Sequence, residues 1–211
     1  MKYDELLSVA SSEPVFSSGL LLTLGQDPAD LRKQLSRWAK AGKIIQLRRG
    51  LYTLAEPYRK VTPEPFFIAN RLNKPSYVSL QSALAHHGLI PEWVPAVTSV
   101  TTARPEEVDT PLGRFIYRHC KRPLFFGFQE VDLGQGQAAF VARPEKALLD
   151  LVYLTPGGDR QEFLAELRLQ NLAKLDLALL ERMAQESKSP KLWRAYQEVA
   201  KLAAGEEYEN L

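Results

Sequence analysis

The 211-residue sequence predicts an α+β protein: an N-terminal unit of helices closed by a hairpin, then a mixed part with a small antiparallel sheet and a helical C-terminal half. Three observations carry this expectation. Residues 27–54, DPADLRKQLSRWAKAGKIIQLRRGLYTL, read as a helix that stops at a glycine and runs into a basic β-hairpin. Short stretches of alternating apolar and polar residues recur between Tyr77 and Ala142. From Pro144 onward the apolar residues return at helical spacing.

Residues 2–10 place Tyr3, Leu6, Leu7 and Ala10 at helical spacing, and Ser11-Ser12-Glu13-Pro14 breaks that helix. Residues 15–24 predict a second, short helix with Phe16, Leu20, Leu21 and Leu24 inside and Ser17-Ser18 at its start. Gly25-Gln26 is a turn. Asp27 is a good N-cap, Pro28 suits the first helical position, and Asp30 adds an acidic first turn. Leu31, Leu35 and Trp38 form one apolar stripe, with Lys33, Ser36, Arg37 and Lys40 on the opposite side and Arg32 at the flank. Gly42 ends the helix where a left-handed backbone costs least. Residues 44–47 and 51–54 are expected strands joined by Arg48-Arg49-Gly50. Three helices and a hairpin in this order are the pattern of a winged helix-turn-helix over residues 1–56, whose third helix would enter a DNA major groove. Arg32, Lys33 and Ser36 lie in the half of that helix that meets base edges. Arg37 and Lys40 are placed for phosphates, and Arg48 and Arg49 for the flanking backbone.

Residues 57–62 carry Pro57, precede Pro63 and lack apolar periodicity, so they read as a linker to a second domain at 63–211. There the pattern predicts a helix from Pro63-Glu64 through Leu72, a strand at Tyr77-Val78, and a helix from Ser79 closed by Gly88. Strands are expected at 93–102, 113–119, 125–131 and 138–142, with a turn at 104–109, and antiparallel pairing because the connections are too short for crossover helices. Helices are expected at 145–153, 161–171, 176–186 and 190–204, before a frayed acidic tail.

The net charge of +2 is unevenly divided. Residues 1–60 hold ten Lys/Arg against six Asp/Glu, whereas residues 61–211 hold 17 against 19. The surplus concentrates on the third helix and hairpin, a positive field suited to nucleic-acid phosphates. No apolar run is long enough to span a bilayer and no charged-then-apolar leader opens the chain. The single cysteine, Cys120, fits a reducing compartment. A cytoplasmic protein without membrane partners is expected.

Candidate catalytic constellations fail on geometry. Gly134-Gln135-Gly136-Gln137-Ala138-Ala139 matches the letters of a dinucleotide fingerprint, yet a strand follows where a helix should open, so a hairpin turn is expected. His86-His87 point about 100° apart on a helix, and neither they nor His119-Cys120 have metal-ligand spacing. Glu145 and Asp150 lie about 140° apart on one helix, poor geometry for paired acid–base work. No catalytic residue, cofactor site or metal site is expected, and the protein is not read as an enzyme.

Three segments together resemble the AbiEi-type antitoxins, the transcriptional-repressor half of bacterial type IV toxin–antitoxin (abortive-infection) systems. They are LRKQLSRWAKAGKIIQLRRGLYTL, YVSLQSALAHHGL from Tyr77 and ARPEKALLDL from Ala142. The resemblance implies a winged helix that binds double-stranded operator DNA, usually inverted repeats, and represses its own operon. It also implies a C-terminal domain that counteracts a nucleotidyltransferase-like toxin without a stable complex. The toxin's own signature, Gly-Ser followed by Asp-x-Asp, is absent from this sequence. The alternative is a stand-alone winged-helix regulator whose second domain senses a ligand or oligomerises.

Overall fold

Helix α1 (Tyr3–Ala10) buries Leu6 and Ala10, and its first turn is fixed by Glu5 accepting from the Lys2 backbone N–H at 3.0 Å. A two-residue strand β1 (Phe16–Ser17) and a five-residue helix α2 (Ser18–Leu22) come next, with the Ser17 hydroxyl capping α2 by accepting from the Leu20 N–H at 3.1 Å. The computed structural model describes residues 1–91 and 94–209. The single helix expected over 15–24 is therefore split. Phe16 lies on a strand, Leu21 is buried, and Leu20 and Leu24 stand 38% and 47% exposed. A helix of little more than one turn can direct one such leucine into the core, not three.

Helix α3 (Pro28–Lys40) leads through a glycine turn into β2 (Ile44–Arg48) and β3 (Leu51–Leu54). Strand β3 pairs antiparallel with both β1 and β2, giving a three-stranded sheet of order β1-β3-β2. Leu6, Leu21, Leu31, Leu35 and Leu54 fill the space between the helices and this sheet. Residues 57–62 double back on α1: Tyr58 meets the Tyr3 ring edge-on at 5.4 Å, and the Lys60 N–H donates to the Ser11 carbonyl at 3.1 Å.

Beyond residue 62 the chain forms α4 (Pro65–Leu72), β4 (Ser76–Val78), α5 (Leu80–His86), β5 (Ala96–Thr101), β6 (Glu106–Thr110), β7 (Gly113–His119), β8 (Phe128–Gly134) and β9 (Gln137–Ala142). The sheet has six strands in the order β6-β7-β5-β4-β9-β8. It is mixed, which corrects the small antiparallel sheet expected from connection lengths: β5 runs parallel to β7, and β4 parallel to β9. Short connections excluded crossover only between consecutive strands. Here β6 lies between β5 and β7 in sequence but outside them in space, so one strand serves as the crossover.

Strand β6 occupies most of the stretch expected as a turn at 104–109. Its Glu107 pairs with Arg114 and, at 3.7 Å, with Arg118, while Asp109 lies 3.8 Å from Arg114. Alternating carboxylates opposite arginines are how a charged sequence serves as an edge strand without inviting further pairing. Trp93, expected to start a strand, lies outside the described residues, and that strand begins at Ala96. The glycine-rich stretch forms the β8–β9 hairpin turn as expected, with Gln135 and Gly136 both at positive φ, 52° and 72°.

The C-terminal part comprises α6 (Pro144–Leu154), α7 (Gln161–Glu166), α8 (Leu177–Glu186) and α9 (Pro190–Glu209). The helix expected over 161–171 stops at Glu166 because tertiary hydrogen bonds claim residues 170 and 171. The Gln170 N–H donates to the Leu89 carbonyl at 3.0 Å and Asn171 Nδ2 to the Gly88 carbonyl at 2.7 Å. Helix α9 continues past Ala204 to Glu209, and residues 210–211 of the expected tail lie outside the described residues. Helix α6 packs against α5, α8 and α9. Val15, Leu47 and Leu51 of the N-terminal part belong to the same core as α6 and the large sheet. Among the described residues, no helix is long and apolar enough to cross a membrane.

Candidate nucleic-acid interface

The geometry of α3 is set by its two ends. Asp27 accepts from the Ala29 and Asp30 N–H groups at 2.8 and 3.0 Å, and those backbone donors hold its carboxyl below the ordinary value. At the other end Gly42 takes φ +67°, allowing the Gly42 N–H to reach the Ala39 carbonyl at 3.1 Å and the Lys43 N–H the Trp38 carbonyl at 2.9 Å. This paired closure satisfies the last carbonyls and turns the chain directly into β2. Leu31 and Leu35 are buried, and Trp38 is half-buried, its ring edge against Tyr3 at 5.5 Å.

With that stripe inward, Arg32, Lys33, Ser36, Arg37 and Lys40 are all exposed. At about 100° per residue they span an arc of about 140° on the outer side of the helix. Their side chains are barely committed. Arg32 Nε donates to the Pro28 carbonyl at 3.0 Å, and Lys33 lies 3.4 Å from Asp30 in a pair with both side chains 69% exposed. Such a pair holds the ammonium weakly. Ser36, Arg37 and Lys40 have no side-chain partner among the described residues.

The hairpin residues divide. Arg49, in the turn with Gly50, is exposed and has no side-chain partner among the described residues. The turn itself is tied down by the Ser18 N–H donating to the Gly50 carbonyl at 2.9 Å. Arg48 faces elsewhere. Its guanidinium donates to the Leu72 carbonyl at the end of α4 and lies 3.3 Å from Glu106 on β6. Asn73 Nδ2 donates to the same carboxylate at 2.6 Å. A bulge between Gln46 and Arg48 re-aims this end of β2, placing Leu47 in the large core. The structure thus gathers five of the seven sequence-derived residues on one helix face, leaves Arg49 free at the turn, and engages Arg48 between the two parts of the chain. Glu106, its partner, was hidden because its acidic surroundings read as a turn.

Of the other chemistry-bearing groups, Lys146, Asp150, Glu145 and Cys120 are buried, whereas His87 is half-buried and His86 exposed. Lys146 and Asp150 are each 3% exposed and ion-paired, and Asp150 also accepts from the Tyr77 and Ser79 hydroxyls, both at 2.8 Å. Burial pushes the Asp150 carboxyl up, opposed by the Lys146 ammonium and the two hydroxyl donors. Burial also pushes the Cys120 thiol up to about 11, away from thiolate chemistry. Glu145 accepts from the Asp176 N–H at 2.8 Å and so joins α6 to the start of α8. His87 Nε2 lies 2.8 Å from the Ala142 carbonyl, and His86 packs edge-on to Phe66. Among the described residues, no three His, Cys, Asp or Glu side chains are grouped to hold a metal ion.

No protein-family model matches the chain, and no curated protein matches it significantly.

Proposed function

We propose that this protein is a sequence-specific DNA-binding repressor built on a winged helix-turn-helix, and that it serves as the antitoxin of a type IV toxin–antitoxin system. One observation carries the DNA-binding reading: α3 turns Leu31 and Leu35 inward and presents Arg32, Lys33, Ser36, Arg37 and Lys40 outward with little internal commitment. The β2–β3 hairpin after it supplies Arg49. Base-edge contacts fall to Arg32, Lys33 and Ser36, phosphate contacts to Arg37, Lys40 and Arg49. The antitoxin role rests on the resemblance of the three sequence segments to AbiEi-type proteins. The partners it implies are an inverted-repeat operator and a nucleotidyltransferase-like toxin.

A fluorescence anisotropy titration against the DNA upstream of its own gene, with a scrambled duplex as control, tests the first half. Operator binding exceeds scrambled binding, and log affinity falls with log salt by about 0.9 per neutralised phosphate. Equal affinity for both duplexes would refute a specific repressor. Co-expression with the neighbouring gene tests the second half: the full chain rescues growth from a nucleotidyltransferase toxin, and still does so as Arg32→Ala/Lys33→Ala.

A further inference from the structure

Strand β4 is three residues long and pairs with β9 at a single position, Val78 opposite Val141. The first half of β9 therefore has no neighbouring strand on that side. Asn70 of α4 fills one backbone position, its Oδ1 accepting from the Phe140 N–H at 2.6 Å. Beside this gap lies a cavity of about 640 Å³.

Its walls combine two kinds of group. Phe128 and Phe140 meet edge-on at 5.7 Å, with Phe125 behind them at 5.2 Å from Phe128. Phe140 is 45% exposed, an aromatic face left open to solvent. Across the cavity the Arg71 guanidinium lies over the Phe67 ring at 5.5 Å, and Lys74 sits in the turn after α4. Neither Lys74 nor Glu130, which also lines the cavity, has a side-chain partner among the described residues. The Asn70 amide, fixed in orientation by Phe140, leaves its Nδ2 unpaired in the same wall.

Aromatic faces offer stacking to any planar ring, two cations offer ion pairs to a phosphate, and a free carboxylate accepts hydrogen bonds from ring-bound amines. An aliphatic ligand would leave the three charged groups unused, and an inorganic anion would leave the rings unused. A nucleotide engages both, and its exocyclic amine also uses the Glu130 carboxylate. We propose that this cavity binds a nucleotide, its base stacked on the open face of Phe140 with Phe128 edge-on beside it, its exocyclic amine on Glu130 and its phosphate on Lys74 and Arg71. The same chemistry is presented by a free mononucleotide and by an unpaired residue of a single strand. The inference involves no residue of α3 and stands apart from the duplex-DNA reading.

Isothermal titration of the full chain tests it with cytidine, adenosine, guanosine and uridine monophosphates, with an unphosphorylated nucleoside, and with a single-stranded tetranucleotide. Saturable binding of a monophosphate carrying an exocyclic amine, stronger than that of uridine monophosphate, is expected. Phe140→Ala weakens it about tenfold, and Lys74→Gln narrows the gap between nucleotide and nucleoside. Both side chains stand at the surface, and NMR shift changes centred on residues 70–76 and 128–140 provide a readout that needs no variant. Binding of the tetranucleotide but of no monophosphate assigns the site to single strands and supports the proposal. No saturation by any of these up to about 5 mM, or binding unchanged by Phe140→Ala, overturns it.

Discussion

Helices α3 and α6 are both rich in charge and use it in opposite ways. On α3 the cations face solvent while leucines face the small N-terminal core. On α6 the charged side chains Glu145, Lys146 and Asp150 are the buried ones, and each is matched inside the protein. The same residue types therefore carry different consequences. A buried charge with its partners satisfied contributes to the shape of the core and has nothing left to offer a ligand. An exposed cation contributes little to stability and keeps its hydrogen-bond donors for a partner.

Cutting the inward charge has the largest expected effect. Lys146→Ala strands Asp150 in the core and costs about 3–5 kcal/mol in urea unfolding, while the folded fraction keeps its DNA affinity. A loss below about 1 kcal/mol would place this pair among solvent-screened ones and erase the contrast. Outward charges come next: Arg32→Ala and Lys33→Ala leave the unfolding midpoint nearly unchanged, yet relax operator discrimination by about 1–3 kcal/mol if each reads a base.

The hairpin sharpens the comparison within adjacent residues. Arg49→Ala lowers the salt slope of DNA binding by about 0.9 and leaves stability alone. Arg48→Ala does the reverse, lowering stability by about 1 kcal/mol through loss of its contacts to Leu72 and Glu106. Identical salt slopes and melting curves for the two variants would break the distinction.

The smallest effect is that of His86. His86 is exposed at one side, but partial desolvation where its ring packs on Phe66, reinforced by His87, holds its imidazole below the ordinary 6.5. The unfolded state therefore takes up this proton first, so the associated stability is complete above 6.5 and is lost as the pH falls below it. His86→Gln flattens the fall of the melting temperature between about pH 7 and 5.

Local signals explain which parts of the structure were legible in the sequence. The boundaries of α3 come from Asp27, Pro28 and Gly42, and its two faces from spacing alone. Local spacing therefore suffices to name the five outward residues. The β8–β9 turn was legible for the same reason, since Gly134 and Gly136 mark it. Strand order was not, because the parallel pairing of β5 with β7 depends on where β6 goes, and nothing within those residues encodes that. Arg48 shows the limit most sharply: its partner Glu106 is 58 positions away. The nucleotide-sized cavity draws on three separate stretches, 67–76, 125–130 and 138–140, none of which carries a motif.

The bulge at Leu47 has a mechanical consequence. A proline-bearing connection such as 57–62 suggests two bodies on a tether, free to reorient. With Leu47, Leu51 and Val15 embedded in the large core and Arg48 gripping the end of α4, the hairpin after α3 is a fixture of the C-terminal part. Leverage then runs through side chains, not through the connecting peptide: Arg48 ties the hairpin to the end of α4 and to the β6 edge, so a displacement at either is delivered to the hairpin and through it to the orientation of α3.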